Sequence, residues 1–240
     1  NFLNSINGKI DLNTNINFDL SKKFKVSNLI YSINGDIPYL ELLANDINFI
    51  KEYLPDFESN IVLKDNKINL ISSKNSNTTE LTGYIKVKNN FDIFIIKNIF
   101  DHNKKSFFTE GNINLTNAKV QLSKVNYHKL PKKKSHLDFN INFVFDSYYN
   151  VNKLNFFEDK SYIHLSKIKL NKNFEIENLK KIEIKTYQNE IKNNDFFIEK
   201  SKKTIISGKV FDSGPLLQSL YKKNDKETFS KKFNTEIKIN

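Results

Sequence analysis

The chain has 240 residues and a mass of 28.2 kDa, enough for one sizeable domain with its own core. Its 38 cations, all of them lysine, outnumber 27 carboxylates for a net charge of +11. With no Cys there is no disulfide framework, no thiolate nucleophile and no cysteine-ligated zinc or iron-sulfur site.

Arg, Trp and Met are also missing, while Asn, Lys, Ile, Phe and Tyr abound, the bias an AT-rich genome imposes on codon choice. Part of the positive charge is therefore read as compositional. A first residue other than Met reads as an internal piece of a longer protein, with any leader or anchor upstream. No apolar run exceeds the four residues Ile93 to Ile96, far short of the roughly eighteen that a bilayer span needs. Apolar content of 38% is low for a folded domain, yet 13% aromatic is too apolar for disorder. The apolar residues must therefore be few and carefully placed.

Their placement has a period of two. From Ile10 through Leu12, Ile16 and Phe18 to Leu20 the even positions are apolar except Thr14, while Asp11, Asn13, Asn15, Asn17 and Asp19 are polar. Such alternation predicts a half-buried strand with one wet face, about 35 Å long. Shorter versions follow at Phe24 and Val26, and from Leu29 to Ile33. Ile47 to Tyr53 reads as a two-turn helix stopped at Leu54-Pro55, because a residue before proline avoids the helical region. Strand signals return at Ile68 and Leu70, and at Ile85 and Val87. Phe91 to Phe100 is apolar on every side and fits either a buried strand or a short helix.

Beyond Ile113 and Leu115 comes the one strong break, the basic loop Lys129-Leu130-Pro131-Lys132-Lys133-Lys134. It reads as a long hairpin connection or as a weak boundary near 129–136 in an otherwise single domain spanning 1–240. Leu137, Phe139, Ile141, Phe143 and Phe145 then alternate against Asp138, Asn140 and Asn142. Ile163 with Leu165, Ile168 with Leu170, and Ile182 with Ile184 continue the pattern. Asp212-Ser213-Gly214-Pro215 offers a capping residue and an early proline for a helix from Pro215 to about Lys223, with Leu216, Leu217, Leu220 and Tyr221 on one side. Ile237 and Ile239 close the chain. The sum is a mainly β fold of roughly a dozen strands, antiparallel, broad and elongated, with one or two short helices.

Five of the six glycines open one tripeptide pattern, at Gly8, Gly35, Gly83, Gly111 and Gly208, each two residues before Ile or Val. A glycine leading into a strand predicts a turn or bulge with positive φ, whether as ordinary hairpin punctuation or as a degenerate β repeat.

Catalytic constellations are not legible. His102, His128, His136 and His164 are scattered, with no metal-ligand spacing to a carboxylate. Ser207-Gly208 and Ser213-Gly214 lack the context of a nucleophile elbow, and no phosphate-binding glycine loop is present. Asp212 reads as a helix cap before it reads as a general base. The sequon Asn77-Thr78-Thr79 is a chance match in an Asn-rich chain. Nucleic acid is disfavoured, since Arg is absent and the lysines are dispersed along wet strand faces apart from Lys132 to Lys134. Solvated faces and attraction to anionic headgroups account for the charge instead.

One segment goes further. Gly208-Lys209-Val210-Phe211-Asp212-Ser213-Gly214-Pro215-Leu216-Leu217-Gln218-Ser219-Leu220 resembles the strand, G-x-x-[FL]-D, then P-L-L-x-x-L helix element of AsmA-like bacterial envelope proteins, on the branch related to YhdP and TamB. Upstream, Tyr53-Leu54-Pro55 is similar to that family's tyrosine, bulky residue, proline segment, and the order of the two elements agrees. Ser213-Gly214 stands where the family often has Ala-Arg, and the family's tryptophans are absent.

The resemblance implies a curved β-groove in the periplasm, anchored to the inner membrane by a segment outside these residues. Such a groove shelters phospholipid acyl chains on their way between the inner and outer membranes, with no cofactor and no catalysis. The even face of Ile10 to Leu20 and the Leu137 to Phe145 face are the positions expected to line it, with lysines at the rim favouring phosphate. The alternation alone fits a closed sandwich equally well. A scaffold for envelope proteins acting through sheet edges is the other reading.

Overall fold

The computed structural model describes residues 3–45, 47–173, 175–200, 203–215, 217–218 and 235–239. Long strands follow one another in chain order: β1 (Leu3–Leu20), β2 (Val26–Ala44), β3 (Asn60–Ser72), β4 (Ser76–Val87), β5 (Asn90–Asp101) and β6 (Ser106–Asn114). A helix, α1 (Asn48–Tyr53), interrupts them between β2 and β3. Two three-residue strands, β7 (Val120–Leu122) and β8 (Tyr127–Lys129), flank a 3-10 turn at Ser123–Val125. Then come β9 (Ser135–Val144), β10 (Tyr148–Glu158), β11 (Ser161–Asn171), β12 (Ile176–Gln188), β13 (Ile191–Lys200), β14 (Thr204–Val210) and β15 (Thr235–Ile239).

Thirteen of these strands form a single sheet in the order β1-β2-β3-β4-β5-β6-β9-β10-β11-β12-β13-β14-β15. Every pairing is antiparallel except β14 with β15, which is parallel. The sheet is open and curved, with β1 at one edge and β15 at the other. At about 4.8 Å between strands, it extends on the order of 58 Å across its strands.

Phe91 to Phe100 resolves as strand, since β5 lies between β4 and β6 and its backbone bonds to both. The basic loop lies within an insert between β6 and β9, and those two strands are neighbours across it. At the far end Gly214, Pro215, Leu217 and Gln218 are helical, and the Leu217 amide donates to the Ser213 carbonyl. Leu216, Leu220 and the rest of the expected helix to Lys223 lie outside the described residues.

The glycines are not where hairpins turn. All five tripeptide glycines lie inside strands; Gly83, with φ +153° and opposite the bulge between Lys64 and Lys67, fits the bulge expectation, while the left-handed turn positions are held by Phe24, Lys88, Lys105, Asp146, Asp159, Asn189 and Glu190. Asn189 and Glu190 both have positive φ (50° and 65°), as a two-residue hairpin matched to strand twist requires. Gly35 and Gly111 instead make room for a neighbour. A Cβ on Gly35 would stand 2.4 Å from Leu12 Cδ2, and one on Gly111 2.8 Å from Phe139 Cζ. The missing side chain lets the adjacent large one lie flat over the strand.

A candidate apolar groove

Pleating sends alternate side chains to opposite faces, so the registers decide which residues meet. Following the paired residues from edge to edge, one row reads Leu12, Gly35, Ile68, Leu81, Ile96, Gly111, Phe139, Leu154, Leu165, Ile182, Ile198, Ile206 and Ile237. No polar side chain interrupts it in thirteen strands. The row runs across the strands, not along them.

A parallel row beside it contains Phe94, Ile113, Leu137, Phe156, Ile163, Ile184 and Phe196. On the other side the next row is mixed, with Ile33, Leu70 and Ile141 but also Thr79, Asn98 and Thr109, where the Thr109 hydroxyl donates to Asn98 Oδ1 (2.7 Å). The outermost row is aromatic in its middle. Phe107 stacks on Phe143 (5.0 Å between ring centres), Phe100 tilts onto Phe107 (4.6 Å) and Tyr149 stacks on Phe143 (5.8 Å).

The two sets of residues expected to line a track therefore share one face. Leu12 lies in the row of Phe139, and Ile16 lies opposite Tyr31 in the row that contains Phe143. Ile10 sits at a bulge between the pairs Lys9 with Tyr39 and Asp11 with Asp36. Ile10, Leu12, Ile16, Phe18 and Leu20 are all exposed, as is Ile237 at the opposite edge. Leu137, Phe139, Ile141 and Phe143 are half-buried. Phe145 lies beyond β9 in the following turn, but its ring meets Phe107 and Phe143 edge-on (5.1 and 5.2 Å).

One end of this face is covered. The β7–β8 insert lays Val120 and Tyr127 against Phe156, Ile163, Ile184 and Phe196, forming the larger of two buried clusters. The second, Ile37, Leu40, Leu63 and Phe94, lies towards β1. Between the α1 segment and the sheet an apolar cavity of about 210 Å³ opens, lined by Leu54, Phe57, Ile85, Val87, Leu115 and Leu137 among others.

The insert is held by polar groups that alternation gives no means of finding. Lys129, fully buried, donates from Nζ to the carbonyls of Leu115 (2.7 Å), Thr116 (3.1 Å) and Ala118 (2.7 Å). Burial pulls its ammonium down to about 8, against the opposing attraction of Glu158 and Asp92. The Tyr127 hydroxyl donates to the Glu158 carboxylate, and burial first and this carboxylate second push the phenol well above its ordinary range. Lys133 adds an ion pair to Glu158 at 3.4 Å.

Of the residues that carry the resemblance, Gly208, Phe211 and Asp212 lie beside the same cap. Gly208 backs onto Phe196, where a Cβ would stand 2.5 Å from Phe196 Cα, and the Phe211 ring meets Phe196 edge-on at 5.0 Å. Asp212 caps the helical segment through the Gly214 amide (3.0 Å) and accepts from Asn126 Nδ2 of the insert (2.7 Å). Tyr53 ends α1 and is exposed, Pro55 follows it, Pro215 is half-buried and Leu217 is exposed.

The opposite face carries a solvated charge ladder, with Lys97 to Glu80 (2.9 Å), Lys181 to Glu183 (2.5 Å) and Lys153 to Asp138 (3.8 Å), beside the exposed Tyr84, Ile93 and Ile95. Exposed pairs of this kind contribute little each. His164 lies on that face beside Phe157 and Tyr162, and burial lowers its imidazole below the ordinary value. Among the described residues no group of three His, Asp or Glu side chains is placed to hold a metal ion.

No family model, no curated protein and no solved structure matches the chain.

Proposed function

We propose that this chain is a lipid-sheltering segment of an AsmA-like envelope protein, non-enzymatic and periplasmic, tethered to the inner membrane through a segment of the longer protein. The observation that carries this reading is the unbroken apolar row across thirteen strands, on a face that the described residues cover at one end. An ordinary core would seal such a face beneath a second layer. Here Leu12 at one edge and Ile237 at the other remain about half exposed (52% and 49%).

The energetics favour the same occupant. Moving two acyl chains from a bilayer into water costs on the order of 20 kcal/mol at about 0.8 kcal/mol per methylene. A row about 58 Å long and several side chains wide offers the chains a continuous apolar surface, leaving the headgroup at the wet rim. No cofactor and no energy source enters.

Native mass spectrometry of the purified chain, with extraction and identification of bound lipid, tests the proposal. Phospholipid at a defined stoichiometry is expected, and Leu12→Asp and Phe139→Asp should lower its occupancy severalfold while circular dichroism still reports folded sheet. A lipid-free folded protein, or occupancy indifferent to both substitutions, overturns it and favours assembly through the free β1 edge.

A further inference from the structure

We infer that the β1–β2 hairpin is an arm that docks on an anionic lipid surface and inserts Phe24 among its headgroups. This goes beyond the groove reading and stands whether or not the apolar face carries acyl chains.

The arm leaves the body of the sheet. Pairing of β2 with β3 begins at Tyr31 opposite Ser72, so Val26 to Ile30 pair with β1 alone. The overhang is five residues, about 17 Å at strand rise. A free two-stranded hairpin is marginal in water, and this one also bares its apolar side chains. Phe18, Leu20 and Val26 are each more than half exposed, on the face continuous with the apolar row.

The tip has the chemistry of a membrane interface. Ser21, Lys22, Lys23, Phe24 and Lys25 contain three cations and no acid. The turn is closed by the Phe24 amide donating to the Ser21 carbonyl (2.9 Å) and the Ser21 amide to the Lys25 carbonyl (3.0 Å). Phe24 thus takes the left-handed position after a tight turn (φ +54°), a place that suits Gly or Asn and is unfavourable for a bulky ring. At 83% exposure it is the most exposed large apolar side chain among the described residues. An aromatic ring held outward between lysines matches a layer that is apolar beneath and negatively charged at its surface. A protein partner would have to supply both an acidic rim and a greasy pocket at one point.

The chain has no tryptophan, so Phe24→Trp introduces a single reporter. With phosphatidylcholine vesicles containing phosphatidylglycerol, its emission is expected to shift to the blue and to be quenched by brominated lipid. Flotation should show binding to these vesicles at low salt and much less to phosphatidylcholine alone. Lys22→Glu with Lys23→Glu should weaken binding at least about tenfold. Lys132→Glu with Lys134→Glu, which changes the net charge equally on the opposite rim, should leave it nearly unchanged. Phe24→Ser keeps every charge and should weaken binding severalfold. No flotation with the anionic vesicles, an unshifted reporter, or equal losses from the two lysine pairs overturns the inference. So does self-association of the native chain that Phe24→Ser abolishes, which would make the occupant a second copy.

Discussion

Lys129 shows how one side chain can set the geometry of a cap. Its three carbonyl acceptors belong to a segment that turns away from β6, where Leu115 also accepts from the Ala118 amide (3.2 Å) and Thr116 from the Lys132 amide (2.7 Å), so the ammonium ties together a turn that has few backbone bonds of its own. Lys129→Met keeps the apolar stem and removes the donors, and we expect a loss of about 1–3 kcal/mol in a denaturant titration. The pH dependence has a definite sign. With the folded value near 8 and the unfolded value near 10.4, the unfolded chain holds the extra proton between them, so stability contributed at this site rises with pH across that window. Below about pH 8 the full cost of burying the charge is present. The stability difference between native protein and Lys129→Met should therefore shift in favour of the native protein from pH 7 to pH 10. Nothing in the sequence announces this role. Lys129 heads a run of lysines and looks like its neighbours, because burial of a cation depends on which carbonyls surround it in space.

Alternating strands were the legible elements. β1 reads directly from Ile10 to Leu20, and β9 from Leu137 to Phe145, one residue beyond its end at Val144, because a sheet with one wet face leaves a two-residue period in the chain. β5 was ambiguous since both its faces carry large apolar residues, and only its two hydrogen-bonded neighbours decide it. β7 and β8 were invisible, being three residues each, too short for any period. Their clamp is a different matter. Asp212 joins the helical segment to the insert, and Asn193 and Asn194 donate to the carbonyls of Asn126 (2.9 Å) and Val125 (2.7 Å). Asp212→Ala removes a cap and a tether together, at a cost of about 1–2 kcal/mol. Hydrogen exchange should accelerate in residues 120–129 while β10 and β11 keep their protection. Uniform acceleration throughout the sheet would show that the clamp supports the whole fold.

For the molecule as a whole, the apolar faces were readable strand by strand but the row was not. Bulges between Lys64 and Lys67, between Val151 and Lys153 and between Asp195 and Phe196 each reset the register by an amount no local pattern encodes. Openness was likewise undecidable from alternation, since a sandwich has the same period.

The near coincidence of strand order with chain order has a kinetic consequence. Each main-sheet strand pairs with its sequence neighbours, the β6–β9 pairing across the β7–β8 insert being the exception. Such a sheet behaves as a quasi-one-dimensional array, in which assembly can begin at one hairpin and zip outward without first closing a long loop. The larger buried cluster, around Tyr127 and Phe156, is the natural nucleus, and β1, with its bare side chains, is the last strand to join and the first to fray. Amide exchange should grade from slowest in β10 to β12 to fastest in β1. A protein built this way loses order by degrees from its margin, so the edge can yield locally while the centre holds.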